Sequence, residues 1–186
     1  LFRSLGVLLG ITGASIWMHE GLDAGIAYLH EQLAATPPLP PVVRTGVIQG
    51  LVLLLDLAGR PAPEMKIVVE DGAAIARAES LPLAVAMLAS AAGWLGLRRL
   101  DVDSAAMWFE ETIDDVFYAG TNLWRQTRHG EVMLLALQGR ADDALQRMAD
   151  MIRVLERLGV DEFVSNSRSF RARIGLLTGR TDIASE

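Results

Sequence analysis

Two kinds of hydrophobic stretch alternate along the chain. One kind is apolar on nearly every side: residues 5–18, 46–55 and 81–97 are runs of 14, 10 and 17 positions without a charge. The other is apolar on one side only. Val102, Ala105, Ala106, Phe109, Ile113, Val116 and Phe117 recur at helical spacing, and Ala144, Leu145, Met148, Met151, Ile152, Leu155 and Leu158 do the same. A period near 3.6 predicts amphipathic helices for the second kind. The first kind predicts helices that must be covered on most sides, because an all-round apolar helix has no face suited to water.

Short polar breaks separate the stretches and resemble one another. In Leu134-Leu135-Ala136-Leu137-Gln138-Gly139-Arg140-Ala141-Asp142-Asp143-Ala144-Leu145 a helix ends, a Gly-containing turn follows, and a second helix opens with acidic residues. Aligned on this turn, one position recurs as Asp23, Ala62, Asp101, Asp142 and Asp182, at intervals of 39, 39, 41 and 40. Three positions earlier stand Glu20, Gly59, Arg98, Gly139 and Gly179, and two earlier stand Gly21, Arg60, Arg99, Arg140 and Arg180. Self-similarity at such a spacing is the mark of a helical solenoid or array.

Each unit then holds a helix A running into the turn and a helix B leaving it. The expected A helices are 5–19, 42–58, 81–97, 122–138 and 162–178. The expected B helices are 23–35, 61–79, one opening at 102 and ending by Gly120, and 141–158, with a last one opening at Asp182. The caps agree. The proline-rich Thr36-Pro37-Pro38-Leu39-Pro40-Pro41 stops the first B helix. Pro61 and Pro63 suit the first turn of the second. Asp101 or Asp103 would cap the third, and Gly159 would close the fourth. The fourth also carries Asp142 and Asp143 in its first turn and Arg153 and Arg157 in its last, matching the helix dipole.

A pair with one greasy helix cannot hide its own apolar surface, so stability must come from stacking against neighbouring pairs. The expected fold is all-α: a right-handed α-α superhelix with about four and a half helix pairs in one domain spanning residues 1–186. Its units would be 1–36, 42–80, 81–120, 121–160 and 161–186.

Gly139-Arg140-Ala141-Asp142-Asp143-Ala144-Leu145, and again Gly179-Arg180-Thr181-Asp182-Ile183-Ala184, resemble the tetratricopeptide repeat, whose second helix opens after a Gly with acidic residues and a small Ala. The spacing departs from the family's 34 residues. The proline at the repeat end is missing and the Trp-x-x-Leu-Gly opening is irregular. The longer, Ala- and Arg-rich version is similar to helical repeat regions of large bacterial regulators: ATP-dependent LuxR-type activators related to the maltose-operon activator, and multidomain adenylate or guanylate cyclases. That resemblance implies a sensor or scaffold region between other domains.

Composition narrows the picture. Aromatics are only 6% of the chain, so Ala, Leu, Val and Ile build the core. A net charge of −6 argues against dedicated nucleic-acid binding, which needs Lys and Arg in excess. There is no cysteine, hence no disulfide or thiolate metal site. Lys66 is the only lysine beside sixteen arginines, which together with abundant Ala and Gly points to a GC-rich bacterial genome. A membrane-spanning helix needs about 20 apolar residues, and the longest charge-free run has 17, rich in small residues that favour helix packing. The chain begins at Leu1 and stops early in a helical pattern, so both ends read as cut from something longer.

Catalytic chemistry is not indicated. His30-Glu31-Gln32-Leu33-Ala34 lacks the second His of a zinc-protease helix, and His19-Glu20 lies across a turn from it. Gly6, Gly10 and Gly13 lack the following Lys-Ser/Thr of a phosphate loop and serve close packing instead. The acidic Glu110, Glu111, Asp114 and Asp115 oppose an apolar stripe and read first as a solvated face, second as a partner or cation surface. Trp17, Trp94, Trp108 and Trp124 share no repeat position and are expected mainly in the core.

The basic set on the fourth and fifth A helices has more to say. Arg125, Arg128 and His129 lie on one, Arg168, Arg171 and Arg173 on the other, with Trp124 and Phe170 nearby. Arg128 and Arg168 are 40 apart, so stacking should bring those helix faces together. In solenoids the inner A-helix face lines a binding groove. The candidate site is therefore Trp124, Arg125, Arg128, Arg168, Phe170 and Arg171, suited to a carboxylate, phosphate or acidic peptide. The alternative is that these arginines neutralise acids on adjacent helices.

The expected role is a non-catalytic interaction or sensing module of a cytoplasmic bacterial signalling or transcriptional regulator, without a cofactor. Its partner would be a protein, a peptide or another domain of the same chain. The alternative is an effector domain for a small molecule, such as a small anionic effector. Neither nucleic acid nor membrane is an expected partner, and exposed repeat ends would allow a homodimer.

Overall fold

A computed structural model describes residues 12–13, 15–112 and 119–184. The described residues are helical or in turns, with no strand among them. Residues 15–20 are helical and precede α1 (Leu22–Leu33), α2 (Pro41–Leu57), α3 (Ala62–Ala78) and α4 (Pro82–Arg98). Then come α5 (Val102–Glu110), α6 (Asn122–Leu137), α7 (Ala141–Leu158), α8 (Asp161–Leu177) and the short α9 (Thr181–Ala184). The expected A and B helices are these elements, with ends shifted by a residue or two. The third B helix is the exception: it stops at Glu110, with Glu111 as its C-cap and the Glu111 and Thr112 N–H groups turning to the carbonyls three residues back, short of the expected end at Gly120. Ile113, Asp114, Asp115, Val116 and Phe117 lie outside the described residues, as do Gly6, Gly10 and most of the first A helix.

Caps fall where the side chains allow them. Asp101 Oδ1 accepts from the Ser104 N–H at 3.1 Å to open α5. Thr121 Oγ1 accepts from Trp124 N–H at 3.2 Å to open α6. Gly159 closes α7 in the left-handed conformation.

The turns share a bond from an N–H to the carbonyl five residues back. Arg60 reaches Leu55, Leu81 reaches Ala76, Asp101 reaches Gly96, Arg140 reaches Leu135, Val160 reaches Leu155 and Arg180 reaches Gly175. This 6→1 bond requires a left-handed residue just before the donor. That residue is Gly59, Ser80, Leu100, Gly139, Gly159 or Gly179 in turn. Glycine fills four of the six because only it takes this conformation without strain. The third A–B turn uses Leu100 instead, which explains why no glycine marks it in the sequence.

The contacts divide the chain into two compact units, Leu1–Ala92 and Gly93–Glu186, with the boundary inside α4. In the first unit α1 packs on α2 and α2 on α3. The A helix α2 buries Val43, Val47, Ile48, Leu51, Val52, Leu54 and Leu55 around its circumference. The B helix α1 buries only Gly25, Ile26 and Leu29. Gly13 serves close packing as expected, since a Cβ there would stand 2.8 Å from Leu29 Cδ2.

In the second unit α5 packs on α6, α6 on α7, α7 on α8 and α8 on α9. α6 also meets α8, the next A helix along the chain. One core gathers Trp124, Val132, Met148, Met151, Ile152, Leu155, Val164 and Ile174. A second joins Leu97, Ala105, Phe109 and Leu134. Here α7 buries the predicted stripe from Ala144 to Leu155, while Leu158 remains exposed. Among the described residues, no helix is long and apolar enough to cross a membrane.

Candidate functional site

The α6–α8 contact is where the predicted basic residues fall. On α6, Arg125 and His129 are one turn apart and point the same way. On α8, Phe163, Asn166, Ser167 and Phe170 form the opposing row. Arg125 Nη1 donates to Asn166 Oδ1 at 2.7 Å, 41 residues on, and His129 Nε2 lies 3.1 Å from Ser167 Oγ, 38 residues on. The pairings advance together along both helices, so α6 and α8 run parallel.

Arg125 is half-buried. Its second Nη donates to Asn122 Oδ1 at 2.5 Å, and the guanidinium lies over the Phe163 ring, 5.1 Å from the centroid. An arginine carries only donors, so both amides must turn their oxygens to it and their NH2 groups away. Burial lowers its proton affinity, and nearby Glu162 acts in the opposite sense.

His129 is buried, its ring stacked on Phe170 with centroids 4.3 Å apart and planes within 4°. Burial first, and Arg125 second, push it from its ordinary 6.5 down to about 4, so it is neutral near pH 7. Phe170 in turn meets Trp94 edge-on at 6.5 Å. The Trp94 indole N–H donates to the Gln126 carbonyl at 3.0 Å. Half-buried Trp94, Arg125, Phe163 and Phe170, with exposed Gln126 and Asn166, thus make one row drawn from α4, α6 and α8.

The six predicted residues separate. Arg125 and Phe170 belong to the row, and half-buried Arg171 lies one turn beyond Ser167. Trp124 and Arg128 turn inward: Trp124 is in the core, and the Arg128 guanidinium stands 5.9 Å from its ring. Arg128 pairs with Glu131 at 2.7 Å with side chains only 8% and 15% exposed, and Glu131 also meets Arg147 of α7 at 3.2 Å. Arg168 is exposed and held by Glu156 of α7 at 2.7 Å. For Arg128 and Arg168, neutralisation of acids on the same or an adjacent helix describes what they do.

Spacing alone missed Phe163, Asn166, Ser167 and Trp94. The signal was present for three of them, since adding about one repeat to Arg125 or His129 lands on Phe163, Asn166 and Ser167. Trp94 required the tertiary fold.

Elsewhere, His19 and His30 are exposed. Among the described residues no trio of His, Asp or Glu is placed to hold a metal ion. Of the acidic cluster, Glu110 and Glu111 are exposed, and the other two lie outside the described residues. Trp108 is in the core, and Trp17 is half-buried. No family model, curated protein or solved structure matches the chain.

Proposed function

We propose that this chain is a stretch of tetratricopeptide-like α-α superhelix that binds a protein or peptide partner, or another domain of its own chain, along its A-helix face. Helices α1–α3 of the first unit and α5–α9 of the second pack in chain order, which supports the superhelix, as does the parallel α6–α8 contact at an offset near one sequence repeat. A recurring ion pair adds to this. Arg60 follows one turn glycine and donates to Asp23 at 3.3 Å; Arg180 follows another and donates to Asp142 at 2.8 Å. Each pair links a turn to the start of the preceding B helix, and the spans of 37 and 38 residues nearly agree.

The observation that carries the binding role is the half-exposed row of Trp94, Arg125, Phe163 and Phe170. Aromatic and arginine side chains at the edge of water are the residue types on which protein interfaces anchor. Trp124 and Arg128 are committed to packing, which weighs against a small-molecule pocket lined by them and for a shallow partner-facing surface. A role in a bacterial regulator, as the tetratricopeptide resemblance implies, fits a non-catalytic surface of this kind.

Photo-crosslinking from position 166 in the full-length protein, expressed in its own host, tests the role. A photo-reactive residue there should give one dominant adduct, intermolecular or within the chain. The same residue at exposed position 153 on α7 should give none. Equal labelling from both positions, or none from 166, would overturn the reading.

A further inference from the structure

At the middle of the α6–α8 contact sits an ionisable group that partner binding does not need. His129 is 4% exposed and Ser167 is 0% exposed, and the imidazole is held between that hydroxyl and the face of Phe170. We propose that His129 is an acid-sensitive latch: a proton taken up by its ring loosens α8 from α6 and takes apart the row of aromatic and cationic side chains. The latch regulates the surface assigned above and so rests on that reading, although its chemistry can be measured without any partner.

A neutral imidazole has one donor and one acceptor nitrogen, so its bond to Ser167 runs in either direction. Once protonated, both nitrogens must donate. Ser167 is then restricted to accepting from Nε2 and must turn its own hydrogen elsewhere, and a full charge sits at a buried position. On its own helix, Arg125 is the cation whose field reaches the ring. Arg128 and Glu131 pair with each other, and Arg147 of α7 joins them. From α8, Ser167 and Phe170 touch the ring. Arg171 lies one turn further on, Glu162 acts on Arg125, and Arg168 is held by Glu156. The packed neighbours from α4 and α5 are Trp94 against Phe170 and Phe109 against Gly130, neither of which titrates here. The Phe170 face attracts a cation and works against the latch, while burial and Arg125 both act in its favour.

The sign follows from linkage. Folded His129 titrates near 4 and the unfolded side chain near 6.5. Above 6.5 neither form is protonated and the contact has its full strength. Between 6.5 and about 4 the opened form binds a proton that the closed form refuses, so closure weakens roughly tenfold per pH unit.

Two measurements on the full chain test this. The His129 ring, followed by NMR, should titrate near pH 4. Amide exchange in α8, corrected for its intrinsic pH dependence, should accelerate roughly tenfold per unit from pH 6 to 4.5 relative to His129→Gln, which can keep a bond to Ser167 but takes up no proton. His19, His30 and every carboxylate are common to both proteins, so the difference belongs to His129. A ring midpoint at or above 6.5, or identical pH profiles for the two proteins, would overturn the latch. Should the variant not fold, the ring midpoint alone decides. Neither readout involves a partner, so the latch and the binding role can fail separately.

Discussion

Leu100 shows how a single residue can be at odds with its surroundings. Its φ is 59° and it is 73% exposed, so it occupies a left-handed conformation without burying its side chain. That conformation costs a non-glycine residue about 1–2 kcal/mol, and glycine would return about 0.5–1 kcal/mol of it in unfolded-state entropy. Leu100→Gly should therefore raise stability by about 0.5–1 kcal/mol in urea unfolding, with the slope unchanged. A loss of stability would mean that the Leu100 side chain makes a contact the fold does not reveal. Arg128 carries the opposite lesson. From sequence it is one more arginine among sixteen, and only its environment decides that it belongs beside Glu131 rather than in a groove. Residue type gives charge and reach, and the neighbours that consume them come from other helices.

At the scale of the element, the glycines inside helices are telling. A Cβ at Gly93 of α4 would lie 2.6 Å from Phe109 Cε1 and Cζ, and one at Gly130 of α6 would collide with the same ring. The Phe109 ring of α5 is thus seated on two helix backbones. Gly130→Ala gains about 1 kcal/mol of helix propensity but must displace the ring, and overpacking of this kind costs about 1–3 kcal/mol. A net loss of about 1–2 kcal/mol is expected. Combined with Phe109→Leu, the loss should be smaller than the sum of the two single changes, because the smaller side chain relieves the clash. Strict additivity in a double-mutant cycle would place Phe109 elsewhere. The helices themselves were legible from hydrophobic period and caps, since both depend on residues a few positions apart. The reason for Gly130 was not, because its neighbour approaches from another helix.

At the scale of the whole second unit, neighbouring helices share one core. Leu155 of α7 is fully buried in a cluster that includes Val132 of α6 and Val164 and Ile174 of α8. Leu155→Ala should cost about 3 kcal/mol. If stability is shared between stacked neighbours, hydrogen exchange in α6, α7 and α8 rises together in this variant. A rise confined to α7 would contradict that sharing. The same dependence makes His129 matter beyond its own turn, because a charge placed between α6 and α8 acts on a contact that each helix needs.

The amino-acid sequence by itself determined that the described residues are helical, where most of those helices start and stop, and which ones are greasy all round and which on one side. These follow from local rules: side-chain period, capping residues and prolines act over a turn or two. Tertiary structure alone decided which arginines are used up by acids, that a leucine takes the place of a turn glycine, and that His129 is buried and neutral. The candidate surface formed the same way. Arg125 and Phe170 were visible as residue types, but Trp94, Phe163, Asn166 and Ser167 joined them only when parallel helices came into register. Burial and the field of a neighbouring charge depend on distance in space, and no spacing along a chain sets that distance until its helices have packed.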